Sequence, residues 1–122
     1  MSDDATSAPD PLELMQGNLD LISGVIPWGR RLGFRMTKVE KGRVWGVQPW
    51  KERLVGDPDT GVIHGGVLTA FLDNLCGTAA GSAMDHLRYV ATLDLRIDYM
   101  RPAEPRRDIL GEAECYHVTR SI

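Results

Sequence analysis

The segment HGGVLTAFLDNL, residues 64–75, sets a histidine and two glycines ahead of an apolar run that contains one carboxylate, Asp73. An acid among Leu, Ala and Phe must meet a polar partner or hold its proton tightly, because an unpaired buried charge is expensive. Either state suits a general base or a nucleophile. The stretch 66–84 is long enough to favour a helix over a strand, despite Gly77 and Gly81. At the start of that helix the first amides are unpaired and lie at the positive end of the macrodipole. Gly65 and Gly66 can therefore present N–H donors to a carbonyl oxygen that turns negative during acyl transfer. Asn74, next to Asp73, is the alternative polar group if the helix is rotated.

At 100° and ~1.5 Å per residue, Asp73 lies ~700° and ~10.5 Å beyond Gly66, on nearly the same face two turns on. Thr69 or Ala70, Gly77 and Ala80 share that face, a stripe of small residues that lets a backbone or ligand approach closely. A carbonyl and the water attacking it must lie within ~3 Å of each other, so one helix cannot offer both groups to one substrate. Two antiparallel copies related by a two-fold axis can, with Asp73 of one chain beside Gly66 of the other.

The elements that must position these groups follow from patterning. Residues 1–10 read as a tail, and 11–122 as a single domain. Asp10, Pro11 and Glu13 mark a helix start, Leu12, Met15, Leu19 and Ile22 recur at helical spacing, and Gly24 is a stop. From Leu32 the alternation Leu32, Phe34, Met36 and the turn at 40–42 predict a hairpin over 32–49. GDPDTG (56–61) reads as a loop. The apolar residues of 66–84 fall on most sides, which predicts a helix buried nearly all round. Leu93, Leu95, Ile97 and Tyr99 alternate with Thr92, Asp94, Arg96 and Asp98 as in a half-buried strand. A last strand over about 108–118 carries Ile109, Gly111, Ala113 and Cys115 on one face. Strands flanking one buried helix predict an α+β fold with an antiparallel sheet over that helix.

The chain has 122 residues, 43% hydrophobic and 25% charged, with a formal charge of −3, so neither nucleic acid nor a membrane is an expected partner. No metal spacing links the three histidines, and Cys76 and Cys115 read as buried free thiols of a cytoplasmic protein. Cys76 has no evident base, which leaves packing as its role. Trp28, Trp45 and Trp50 read as core or interface residues.

GVIHGGVLTAFLDNLCGTAA (61–80) followed by ATLDLRIDYMRPA (91–103) resembles the hotdog-fold acyl-CoA thioesterases of the phenylacetate-pathway (PaaI) type. PWGRRLGFRMTKVEKGRV (27–44) matches their first hairpin in character, so the resemblance covers about 25–122. It implies a hotdog fold, an antiparallel sheet wrapped around a long central helix, here short of its last strands. It implies hydrolysis of an acyl- or aryl-CoA thioester to free acid and coenzyme A, with no cofactor beyond the coenzyme A of the substrate. It also implies a site shared between subunits of a homodimer or homotetramer. By the same resemblance Asp73 activates water or attacks the thioester, the Gly66 amide polarises its carbonyl, His64 positions the thioester end, and Thr92 orients the water or the acid. The family's Asn six residues before the His is Pro58 here, with Asp57 or Asp59 as a substitute if the loop has gained a residue. Arg101, with Arg106 and Arg107, forms the basic cluster that would suit coenzyme A phosphates. The competing readings are a non-catalytic acyl-CoA-binding protein and a hotdog enoyl-CoA hydratase or dehydratase.

Overall fold

A computed structural model describes residues 10–86 and 88–122. Most of the expected tail, 1–9, lies outside the described residues. The helical pattern after Asp10 forms two short helices, α1 (Pro11–Gly17) and α2 (Leu19–Gly24), not one. The break falls at Asn18, whose φ −138 and ψ 43 are non-helical, and the Asp10 side chain makes no capping bond. A third helix, α3 (Pro27–Leu32), corrects the strand expected from Leu32. Pro27 starts it and Gly33, at φ 82, ends it in the left-handed conformation that glycine adopts without strain.

The expected hairpin follows as β1 (Arg35–Glu40) and β2 (Arg43–Gln48), antiparallel, with a bulge between Met36 and Lys38. The Met36 N–H donates to Ser23 Oγ of α2 at 2.8 Å. After a short 3₁₀ turn (Glu52–Leu54), the loop expected over 56–61 is a turn at 58–61 that joins the strands of a small hairpin, β3 (Val55–Asp57), which takes in Gly56 and Asp57, and β4 (Val62–Ile63). The long helix α4 (Gly65–Ser82) then leads to β5 (Ile109–Glu114), which joins the other edge of β2 to give a three-stranded antiparallel sheet in the order β1-β2-β5. Ile109, Gly111 and Ala113 turn inward on β5 as the alternation requires.

One face of α4 lies on this sheet. Val67, Phe71, Leu75 and Ala79, four residues apart, are buried and form the spine of a core with Phe34, Met36, Val39, Val44 and Ala113. Close seating depends on two paired glycines, Gly46 of β2 opposite Gly111 of β5. A Cβ on Gly111 would come within 2.5 Å of Leu75 and 2.7 Å of Phe71, and one on Gly46 within 2.9 Å of Leu75. The far end of α4 is fastened by Ser82, which is buried: its Oγ accepts the Gly42 N–H at 2.9 Å, and its proton is offered to the carbonyl oxygens of Ala79 and Glu40 at 2.8 and 3.1 Å.

Two expectations about this architecture do not hold. The helix is buried along one stripe rather than all round: Cys76 is exposed, Gly77 has nothing within 4 Å of its would-be Cβ, and Leu72, Asp73 and Asn74 are half-buried. Residues 91–100 form no strand and belong to no sheet, with a bend at Leu93, and Leu93 is 81% and Met100 88% exposed. Alternation specifies a strand's faces but not its hydrogen-bonding neighbour, and among the described residues no strand lies beside this one. The fold is nonetheless the expected α+β hotdog arrangement, a long helix against an antiparallel sheet. Among the described residues no helix is long and apolar enough to cross a membrane.

Candidate functional site

The site is built on the open face of α4 and on the segment that crosses it. His64 is the N-cap of the helix, and its backbone N–H bonds the Leu54 carbonyl at 2.9 Å, fixing the helix tip to the preceding turn. The Gly66 N–H, the expected donor to a substrate carbonyl, instead donates to His64 Nδ1 at 2.8 Å. Two groups expected to serve a thioester in parallel are therefore paired with each other. This is ordinary N-cap chemistry, a side chain satisfying an amide of the first turn. Two turns along, Asp73 is half-buried rather than enclosed, and its Oδ1 accepts the Thr92 hydroxyl at 2.6 Å. Its second oxygen stays available to a further donor. Segment 91–100 is free of any ladder and turns the Thr92 hydroxyl onto α4 within the same chain.

Tyr99 also belongs to this face, although its place in the alternation marked it only as an apolar strand residue. Its hydroxyl donates to the Gly65 carbonyl oxygen at 3.0 Å and lies 2.5 Å from Thr69 Oγ1. Thr92 and Tyr99 thus attach the same segment to α4 at both of its chemical positions, the acid and the tip. Cys76, on the rim of the open face, is exposed rather than buried, and Cys115 is half-buried; both are free thiols. Partial burial, and then the neighbouring Asp73, push the Cys76 thiol above its ordinary range, so it is a poor nucleophile at neutral pH.

The remaining sequence candidates stand apart from this cluster in a single chain. Asp57 serves its own turn, accepting the Asp59 N–H on Oδ1 and the Thr60 hydroxyl on Oδ2, both at 3.0 Å. Asn74 is half-buried on α4, where its carbonyl oxygen accepts the Thr78 hydroxyl at 2.9 Å. Arg101 is exposed, while Arg106 of the same cluster bonds the Thr60 carbonyl at 3.2 Å and has left-handed φ 55. Of the tryptophans, Trp28 is 62% exposed, whereas Trp50 donates its ring N–H to the Gly61 carbonyl at 2.8 Å. A hollow of about 490 Å³ near the helix tip is lined by Pro27, Trp28, Arg31, Leu32, Arg53 and Leu54, and does not include Asp73 or Gly66. In one chain the face bearing the acid is partly open, with Asp73 and Asn74 half-buried and Cys76 exposed. No cluster of three or more metal-ligating side chains occurs among the described residues.

Comparison with known proteins bears on the family and the fold. The family model described as the thioesterase superfamily matches residues 60–122, from β4 through α4 to β5 and beyond. The chain belongs to that superfamily. A Halobacterium salinarum protein named as an esterase is 34% identical over 77 residues, covering 61% of this chain and 50% of that protein. YigI of Salmonella typhimurium, named as a medium/long-chain acyl-CoA thioesterase, is 30% identical over 95 residues, covering 67% of this chain and 61% of that protein. The chain thus spans between half and about three fifths of the length of these two relatives. A Pseudomonas aeruginosa crystal structure is 34% identical with a TM-score of 0.74, covering 89% of this chain and 78% of that one. A thioesterase family protein from Silicibacter pomeroyi is 29% identical with a TM-score of 0.70, covering 79% and 68% respectively.

Proposed function

We propose that the protein hydrolyses an acyl-CoA thioester at a site shared by two copies of the chain. The observation that carries this reading is the open face of α4, with amide donors at its tip and a hydroxyl-bonded carboxylate two turns away. The rise between Gly66 and Asp73, ~10.5 Å along the axis, exceeds the ~3 Å within which carbonyl and attacking water must lie. A second copy, antiparallel across that face, brings Asp73 of one chain to the tip of the other and closes the open surface into a pocket. The substrate carbonyl takes the Gly66 N–H from His64. Asp73 removes a proton from water as the water oxygen bonds to the carbonyl carbon. The resulting oxyanion is held by the amide and the helix dipole; when it collapses, the C–S bond breaks and coenzyme A leaves as its thiolate. Thr92 holds the acid in place through one oxygen. The relatives' names support acyl-CoA as the substrate class, and the PaaI-like subtype rests on the motif alone.

A thiol-release assay over a panel of acyl- and aryl-CoAs, run on wild type and Asp73→Asn, tests this reading. Turnover is expected to fall at least ~10²-fold in the variant while substrate binding persists. Equal rates in the two proteins would remove Asp73 from the mechanism. Tight binding with no turnover by wild type would favour a non-catalytic acyl-CoA-binding protein.

A further inference from the structure

We propose that Tyr99 is a positioning residue that sets the orientation of the donor end of α4. The helix begins with two consecutive glycines, Gly65 and Gly66, the residues that lose most backbone freedom when fixed in a helix. Its first amides have no partner within the helix, so the turn that aims them needs support from outside. Tyr99 supplies it. Its hydroxyl, the Thr69 hydroxyl and the Gly65 carbonyl oxygen form a closed triangle with sides of 2.5, 3.0 and 3.2 Å. Each hydroxyl has one proton, so with the Tyr99 proton on the carbonyl oxygen the Thr69 hydroxyl is left to donate to the Tyr99 oxygen. The ring lies over the same residue: a Cβ on Gly65 would sit 3.5–3.6 Å from Tyr99 atoms, ordinary van der Waals contact.

The Gly65 carbonyl is also the i−4 acceptor of the Thr69 N–H in an α-helix, one residue after the N-cap carbonyl of His64. The Gly65 C=O and the Gly66 N–H belong to one planar peptide group, so holding the carbonyl oxygen sets the direction of that N–H. Tyr99 touches neither Gly66 nor Asp73 through its hydroxyl; it acts through Gly65. Because segment 91–100 is joined to no sheet, this triangle and the bond from Thr92 to Asp73 are the polar ties that hold it on α4. The triangle is largely exposed, with Tyr99 58% accessible. Its loss should therefore affect local order far more than global stability.

The proposal uses the thioesterase reading only for its kinetic arm, and amide hydrogen exchange gives an arm that does not. In the full chain, Tyr99→Phe keeps the ring and removes the hydroxyl. Exchange of the Gly66, Val67 and Thr69 amides is expected to quicken about tenfold with the thermal midpoint nearly unchanged. kcat should fall about tenfold with KM within about twofold, since donor aim matters most when the oxyanion forms. Thr69→Val should act in the same direction, and the double variant should add little because the triangle is already broken. Exchange at wild-type rates in both single variants would overturn the proposal, whatever the activity. Faster exchange in a protein that hydrolyses no thioester would uphold Tyr99's role and refute the thioesterase reading instead.

Discussion

At the scale of single residues, the site's polar groups are already satisfied by one another. Asp73 has Thr92 and the Gly66 amide has His64. Thr92→Val should leave the acid in place but free to rotate, lowering kcat about tenfold with little change in KM, as steady-state kinetics would register. Cys76 reports on the same carboxylate. Its thiol is raised first by partial burial and then by Asp73. A raised thiol pKa means less thiolate at neutral pH, so removing the charge with Asp73→Asn moves the pKa back down and increases the reactive fraction. Iodoacetamide labelling at Cys76, followed by peptide mass mapping, should therefore be faster in the variant than in wild type at pH 7–8. Equal labelling rates would mean that the charge does not reach the thiol.

At the scale of elements, the sequence pattern located α4, the β1–β2 hairpin and β5 because each has its own periodicity. It missed what depends on neighbours. The break at Asn18 has no residue that forbids a helix, and α3 was hidden by an alternation of Leu32, Phe34 and Met36 that suits a strand equally well. The apolar surround of Asp73 suggested enclosure, yet only the Val67, Phe71, Leu75, Ala79 stripe meets the sheet. Spacing and family resemblance singled out His64, Gly66, Asp73 and Thr92, which the structure pairs as His64 with the Gly66 amide and Thr92 with Asp73; they did not single out Tyr99, since nothing in an alternating strand says which hydroxyl will face a helix tip. Nor did the sequence flag the Gly46–Gly111 pair, which only pairing across β2 and β5 brings together. Gly111→Ala would drive a methyl into Leu75 and Phe71 and should cost about 1–3 kcal/mol in chemical denaturation. Ser82→Ala should cost about 1–3 kcal/mol by leaving the Gly42 N–H buried without its acceptor.

At the scale of the whole molecule, the open face of α4 makes the shared site a question of stoichiometry. Gly66→Pro removes the amide proton at a first-turn position where proline is tolerated, and Asp73→Asn removes the base. Each variant alone should be inactive. Mixed, unfolded and refolded together, they form mixed dimers in which one site has both the intact tip and the intact acid. Random pairing then restores roughly a quarter of wild-type turnover. Recovery at that level would establish that two chains build each site, whereas a mixture as inactive as its components would confine the chemistry to one chain.

The clasp between His64 and the Gly66 amide bears on how such an enzyme divides its affinity. A neutral thioester oxygen competes with the imidazole nitrogen for one proton on nearly equal terms, so exchanging one acceptor for the other yields little net attraction. An oxygen that has gained negative charge forms a bond about twice as strong and displaces the ring decisively. In the proposed reaction the resting histidine would therefore act as a threshold, discounting substrates at rest and favouring the reacting species, so that the donor's strength is expressed in turnover rather than in saturation.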